Sequence, residues 1–368
     1  MEFKAKRGDL LATLYWTQSI VERRNTMPIL ANVLIEARKA QVRITATDLE
    51  VGVRGEVEGE VEKEGTVTVN AKKLYEIIRE VPMEQVQVRR LENEWVEIKS
   101  GKSVFKVVGM DAREFPQFPK FDSKALSTMP ASTVREMIEK TIFSVSTDET
   151  RYALTGVFVE EADAGKVRMV ATDGHRLAFE ERAVGSFGLS KGIILPRKGL
   201  AELKKLLEAG ENGVVSIGFR ENMGLAIKDK VELFMRLIDG DFPDYTKVIP
   251  KGNPNVAKVD HDELLQALRR VSILSNERYK GIKMEFNDSR VAISANNPDL
   301  GEAAEEIEAE YNGKPLSIGF NARYVIDVLG VLGDEGEIDI ELKDELSPSV
   351  IRKAGEEGYL YVLMPMRL

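Results

Sequence analysis

The chain of 368 residues has no cysteine, two histidines and two tryptophans. It also has no apolar run of about 18 residues, the length that crosses a bilayer as a helix. Lacking cysteine, it has no disulfide framework, thiolate metal site or thiol nucleophile, an inventory that suits a reducing cytoplasm. His175 and His261 are too few for most zinc sites, and no HExxH motif occurs. Neither GxxxxGK[ST] nor a strand-borne GxGxxG is present, so no nucleotide site is expected. The opening Met1-Glu2-Phe3-Lys4 lacks the apolar core of a signal peptide. These absences predict a cytoplasmic, non-membrane chain with no metal, no cofactor and no catalytic constellation.

What is present suits a sizeable globular protein. Hydrophobic residues make up 43% and charged residues 31%, enough to build two or three cored domains. An internal repeat organises them. Arg24, Arg151 and Arg278 each precede a short apolar phrase, and the phrases opening at Ala46, Ala171 and Ala295 follow them in register. Strand-to-helix passages then lead into Leu74, Leu200 and Val325. All three families of landmarks recur about 125 residues apart, which predicts three copies of one domain. The boundaries read as 1–122, 128–250 and 253–368, with Pro- and Lys-containing linkers near Phe118 to Pro130 and Ile249 to Val259.

Each copy reads as two amphipathic helices with alternating strands, an α+β class of helices packed on antiparallel sheet. The first helices are expected over Gly8 to Arg24, Ser132 to Phe143 and His261 to Ser272, with Asp9, Ser132 and Asp260 as N-caps. The second set is expected over Lys72 to Val81, Arg197 to Ala209 and Ala322 to Leu332. A hairpin is predicted about Gly101-Lys102, joining Val96-Glu97-Ile98 to Val104-Phe105-Lys106-Val107.

The net charge of −9 argues against a protein coated in nucleic acid, but its distribution matters. The six helical segments sum to a small positive charge inside an otherwise acidic chain. Basic residues cluster at helix ends, as in Arg23-Arg24, Lys72-Lys73, Arg197-Lys198 and Lys204-Lys205. Ordinary solvated helix ends account for this pattern, and so does a helical surface that holds a phosphate backbone without reading sequence. Few aromatics lie among these basics, which favours a duplex track over a stacking groove for single strands.

The most distinctive phrase is Ala171-Thr172-Asp173-Gly174-His175-Arg176-Leu177-Ala178, a strand entering and leaving an Asp-Gly turn. A hydrolase or transferase reading would have Asp173 orient His175 as a general base, although no nucleophile can be paired with them. Packing within a hairpin is the competing reading.

This phrase, together with Arg24-Asn25-Thr26-Met27-Pro28-Ile29-Leu30, Gly240-Asp241-Phe242-Pro243-Asp244-Tyr245, Leu274-Ser275-Asn276-Glu277-Arg278-Tyr279 and the terminal Tyr361 to Leu368, closely resembles the β subunit of bacterial DNA polymerase III, the sliding clamp. The similarity runs in order along the whole chain. It implies three clamp-type domains per chain and two chains in a closed six-domain homodimeric ring around double-stranded DNA, bound without sequence preference. The implied function is a non-enzymatic processivity factor. Its implied partners are the polymerase α subunit, an ATP-dependent clamp loader, and other clamp-motif proteins such as repair polymerases, mismatch repair proteins and ligase. A repeat-built scaffold that never encloses DNA is the rival reading from another class.

By the same resemblance, Arg24, Lys72, Lys73, Arg197, Lys198 and Lys205 face the duplex. A partner-peptide pocket is implied at Leu154, Thr172, Gly174, His175, Arg176, Leu177, Pro243, Val248, Tyr324, Val362, Leu363, Met364, Pro365 and Met366. Where the family often has an arginine after Asp-Tyr, this chain has Thr246-Lys247. The implied dimer interface joins Phe105 and Val107 to Ile273 and Leu274, with Lys73 and Lys102 opposite Glu302, Glu305 and Glu306.

Overall fold

The computed structural model describes residues 1–21, 27–118, 121, 126–209 and 213–367. Six α-helices are described: α1 (Arg7–Gln18), α2 (Ala71–Glu80), α3 (Ala131–Ile142), α4 (Arg197–Glu208), α5 (His261–Val271) and α6 (Ala322–Leu329). None is long and apolar enough to cross a membrane. The chain forms two compact units, Met1–Ser132 with Lys198–Leu237, and Thr133–Arg197 with Ile238–Leu368.

This division falls inside the central repeat because its strands join two different sheets. In the first unit, a 13-stranded sheet includes Val214–Arg220, Met223–Lys228 and Val231–Arg236 from the centre of the chain. Val231–Arg236 pairs antiparallel with the first half of the long strand Val51–Lys63, with Met235 opposite Val51. Leu10, Leu14 and Ile20 after α1, and Leu74 and Ile78 from α2, are buried with Val33, Ile35, Val42 and Ile44 of the sheet. Each such side chain contributes roughly 1.5–3 kcal/mol through burial.

In the second unit, a nine-stranded sheet pairs Arg176–Ala183 with Tyr359–Leu363, placing Arg176 opposite Leu363 and Ala178 opposite Tyr361. A separate four-stranded sheet runs in the order Gly301–Glu308, Arg290–Asn297, Gly281–Asn287, Leu316–Asn321. Leu264 and Leu268 of α5 and Val325, Val328 and Leu329 of α6 close one core with Ile282, Phe286 and Tyr361.

The repeat is written into hydrogen bonds. Asp48 Oδ1 accepts from the amides of Glu50 and Val51 at 2.9 and 2.7 Å. Asp173 Oδ1 accepts from His175 and Arg176 at 2.9 and 3.1 Å, and Asn297 Oδ1 from Asp299 at 3.0 Å. Thr47 and Thr172 brace the first two turns alike, each hydroxyl accepting from the amide two residues on and donating to the carbonyl four residues on. Short polar side chains that bond their own following backbone make such turns locally determined.

Several expectations need correction. Helix α1 stops at Gln18 rather than Arg24, and Lys6, not Asp9, is its N-cap residue, with no side-chain bond. The first helical amide, Arg7, instead donates to Glu84 O at 2.6 Å. Helix α3 begins at Ala131, whose amide bonds Gly213 O at 2.9 Å, so Ser132 lies inside it. Asp260 caps α5 as expected, accepting from Glu263 N at 3.0 Å. Helix α6 ends at Leu329, short of Leu332. Both expected linkers contain strand, Ser127–Pro130 and Asn255–Asp260, because each finds an antiparallel partner.

Candidate functional sites

The Thr172–Arg176 turn is built by the Asx and threonine bonds above. Gly174 is required there: its φ is +90°, and a Cβ would sit 2.7 Å from Arg151 Nη1. That guanidinium donates to Asp173 O at 3.0 Å. Asp173 therefore serves the backbone and Arg176, whose Nε lies 3.1 Å from Asp173 Oδ2. Among the described residues, the exposed His175 ring has no hydrogen bond to Asp173, and the general-base arrangement is not formed. His261 is a packed structural residue, with Nε2 2.9 Å from Leu329 O.

The C-terminal strand reaches this turn. Met364 N donates to His175 O at 3.0 Å, and Met366 N to Gly319 O at 2.8 Å. Leu177 and Val362 are buried together with Val170 and Tyr245, against Phe158, Phe179 and Ile249. The Tyr245 hydroxyl donates to Glu160 Oε1 at 2.5 Å, and burial, aided by that carboxylate, raises its pKa to about 12. Beside this floor opens a recess of about 640 Å³ lined by Val248, Ile249, Pro250, Pro348 and Met364, with Lys247, Lys251 and Lys343 at its rim.

Of the pocket residues expected from sequence, Val248 and Met364 line this recess, while Leu177, Val362 and Leu363 are buried beneath the surface. Leu154 ends a short 3-10 turn, and Pro243 is exposed one residue before Asp244, the cap of the Tyr245–Lys247 turn. Pro365 is partly buried beside Met366. Arg176 is not an open wall residue. It is 8% exposed, paired to Asp327 at 2.7 Å, and its guanidinium lies 4.3 Å from the centre of the Tyr324 ring. Sequence reading missed Ile249, Pro250 and Pro348. The signal for the last was the Asp344 turn, whose Oδ1 accepts from Leu346 and Ser347 and so presents Pro348.

The basic residues divide into distinct environments. Arg24 lies outside the described residues. Lys72 and Lys73 are exposed on α2, 3.8 and 2.8 Å from Glu76, and Lys205 is exposed on α4, 2.7 Å from Glu202. Arg197 is exposed at the start of α4. Lys198 instead pairs with the Asp48 carboxylate in the first turn of the repeat.

The residues expected at an interface lie on outer strands and near them. Ser103–Val107 is the last strand on one side of its sheet, pairing with Val96–Ser100, and exposes Phe105, Lys106 and Val104. Lys102 is exposed at the hairpin before it, and Val107 is partly buried. Gly301–Glu308 is likewise terminal in its sheet. Glu305 is 2.9 Å from Arg270 Nε and Glu306 2.8 Å from Arg290, while Glu302 is exposed. Ile273 is 73% exposed, a large apolar side chain left in water beside the partly buried Leu274.

One acidic cluster remains. Carboxylate oxygens of Glu136, Glu180 and Glu356 lie within 4.8 Å of one another. Lys140 pairs with Glu136 at 2.7 Å and with Glu356, and Arg182 Nη2 is 3.1, 2.9 and 2.7 Å from Glu136, Glu356 and Glu180. Glu180 is fully buried, and desolvation raises its pKa to about 8 against the pull of Lys140 and Arg182. Lys140 and Arg182 thus hold the three carboxylates through ion pairs within the chain.

A three-fold repeat of helix pairs on shared antiparallel sheets, with strand edges and a C-terminal recess, defines a clamp-type architecture. Sequence profiles of the DNA polymerase III β subunit match in order: the N-terminal domain at residues 1–119, the central domain at 128–244 and the C-terminal domain at 246–367. The chain belongs to this family. It is 37% identical to the β sliding clamp of Pseudomonas aeruginosa and 36% identical to that of Escherichia coli K12, in both cases over the whole of each chain. The crystal structure of the Pseudomonas aeruginosa β subunit superposes with a TM-score of 0.95 at 36% identity, covering all of both chains. A Bacillus subtilis sliding clamp gives 0.95 at 30% identity, covering 100% of this chain and 99% of its own. A Bartonella birtlesii sliding clamp bound to griselimycin gives 0.94 at 35% identity, covering all of both chains.

Proposed function

We propose that two copies of this chain close head to tail into a six-domain ring around duplex DNA and act as a cytoplasmic processivity clamp. The observation that carries this reading is the presence of two different outer strands, Ser103–Val107 and Gly301–Glu308, each paired on one side only. Different edges on one chain suit a heterologous contact, and a rotation that closes after two copies gives a ring rather than a filament. Phe105 and Val107 would meet Ile273 and Leu274, and these apolar groups set the strength of closure. Glu305 and Glu306 already hold arginines of their own chain, so Lys73 and Lys102 add little beyond orientation.

DNA would run along Lys72, Lys73, Arg197 and Lys205, whose exposed charges attract phosphates without base readout, with Arg24 as a further candidate. The Met364 recess would take an extended peptide with aliphatic or aromatic anchors, and its methionine repacks around different sequences. Its users would be the polymerase III α subunit, an ATP-dependent loader, and repair polymerases, mismatch repair proteins and ligase. Tethering by effective concentration turns repeated rebinding into an intramolecular event, so the chain itself need not catalyse anything. The absence of native cysteine makes the ring directly testable. A Phe105→Cys, Ile273→Cys variant treated with a short bis-maleimide should run as a covalently closed two-chain species. A product that remains single-chain at concentrations where the native protein is dimeric contradicts head-to-tail closure.

A further inference from the structure

The Met364 recess has a repeat counterpart in the first unit. Arg236 N donates to Glu50 O at 2.8 Å, as Met364 N does to His175 O at 3.0 Å. Met235 stands opposite Val51 as Leu363 stands opposite Arg176. Arg236 therefore holds the place of Met364, Leu49 that of Gly174, and Phe118 that of Tyr245. Around them is a recess of about 590 Å³, with Leu49, Phe118 and Met223 as apolar walls and Arg220, Asn222 and Arg236 as polar ones.

Two features set it apart from an incidental dent. Leu49 has φ +81°, a left-handed backbone that disfavours a branched side chain, at the position where the next copy uses glycine. Its side chain is nevertheless 49% exposed, so an apolar group is held in water at a conformational cost. Arg236 is exposed, and its guanidinium has no ion pair or hydrogen bond among the described residues. Arg220 lies 3.8 Å from Glu221, an acidic residue that also lines the recess. Phe118 is fixed as a wall by stacking on Phe234 at 4.4 Å.

We propose that this recess is a second docking site, for an extended acidic peptide segment. An aliphatic or aromatic side chain would bury on Leu49, Phe118 and Met223, and a neighbouring carboxylate would pair with Arg236. The proposal extends the peptide reading of the Met364 recess to its repeat counterpart, and methyl signals from the two recesses separate the two claims.

The test is a titration of the full-length protein, labelled at methionine methyls, with an acetylated hexapeptide of Leu-Phe flanked on each side by two aspartates. The Met223 methyl, assigned through Met223→Leu, should shift saturably in the micromolar to millimolar range. A control peptide with lysines for the aspartates should leave it still. Arg236→Met should weaken binding about tenfold or more. Leu49→Gly, which keeps the left-handed turn and removes the apolar wall, should weaken the peptide as well. A Met223 signal that never moves overturns the proposal, whether or not the Met364 signal moves. So does an affinity unchanged by both substitutions.

Discussion

The Arg176 guanidinium lies 2.7 Å from the Asp327 carboxylate on α6, and its other nitrogens reach Asp173 and the carbonyl of Phe143 just after α3. One buried cation thus joins a turn of the central repeat to a helix of the third. Removing Asp327 takes one of two carboxylates from a buried guanidinium, a larger loss than breaking an exposed pair. Asp327→Ala should lower the melting temperature well beyond Glu306→Ala, whose pair with Arg290 is exposed. Parallel thermal melts read this difference, and equal losses would contradict the assignment.

Glu180 should make stability fall as pH rises from about 4.5 to about 8. Burial raises its native pKa to about 8 from an unfolded value near 4.5, so the native chain holds a proton that the unfolded chain releases earlier. The resulting stability is complete below the unfolded pKa and is lost as pH rises through about 8. Melts from pH 6 to 9 should show a decline that Glu180→Gln flattens. A decline of equal slope in both proteins would place its origin elsewhere.

Gly52 makes room for Phe118. A Cβ there would lie 2.0 Å from the Phe118 ring, which stacks on Phe234. Gly52→Ala should expel the ring and cost about 1–3 kcal/mol as an overpacked site. The double variant Gly52→Ala, Phe118→Ala should lose less than the two single effects added, because the clash is removed with the ring. Denaturant titrations of the three variants decide this.

Dimer strength should follow the apolar residues. In the proposed ring, burying Ile273 would contribute roughly 1.5–3 kcal/mol at each of two interfaces, so Ile273→Ala should weaken association on the order of a hundredfold or more. Glu302→Gln should change it by only a few-fold. Sedimentation equilibrium at several concentrations measures both, and a larger effect from Glu302→Gln would reverse the account.

The features legible in the sequence are those encoded by neighbouring residues. The turns at Asp48, Asp173 and Asn297 follow from side chains bonding their own backbone, and Asp260 announces α5 in the same way. The starts of α1 and α3 were not legible, because Glu84 and Gly213 satisfy their first amides from far along the chain. Lys198 reads as a free cation until its pairing with the distant Asp48 is seen. Arg176 reads as an open pocket residue until Asp327 and Tyr324 close over it. Within the recess, Val248 and Met364 were accessible through resemblance, whereas Pro348 depends on how a remote turn packs beside the last strand.

A ring would hold DNA by topology, which retention on nicked circular DNA measures. The protein is loaded by a matched loader with ATP, and the circle is then linearised at raised salt. A ring should stay on the closed circle and run off the linear form. Equal retention on both forms, lost with salt as ordinary phosphate contacts are, would contradict it.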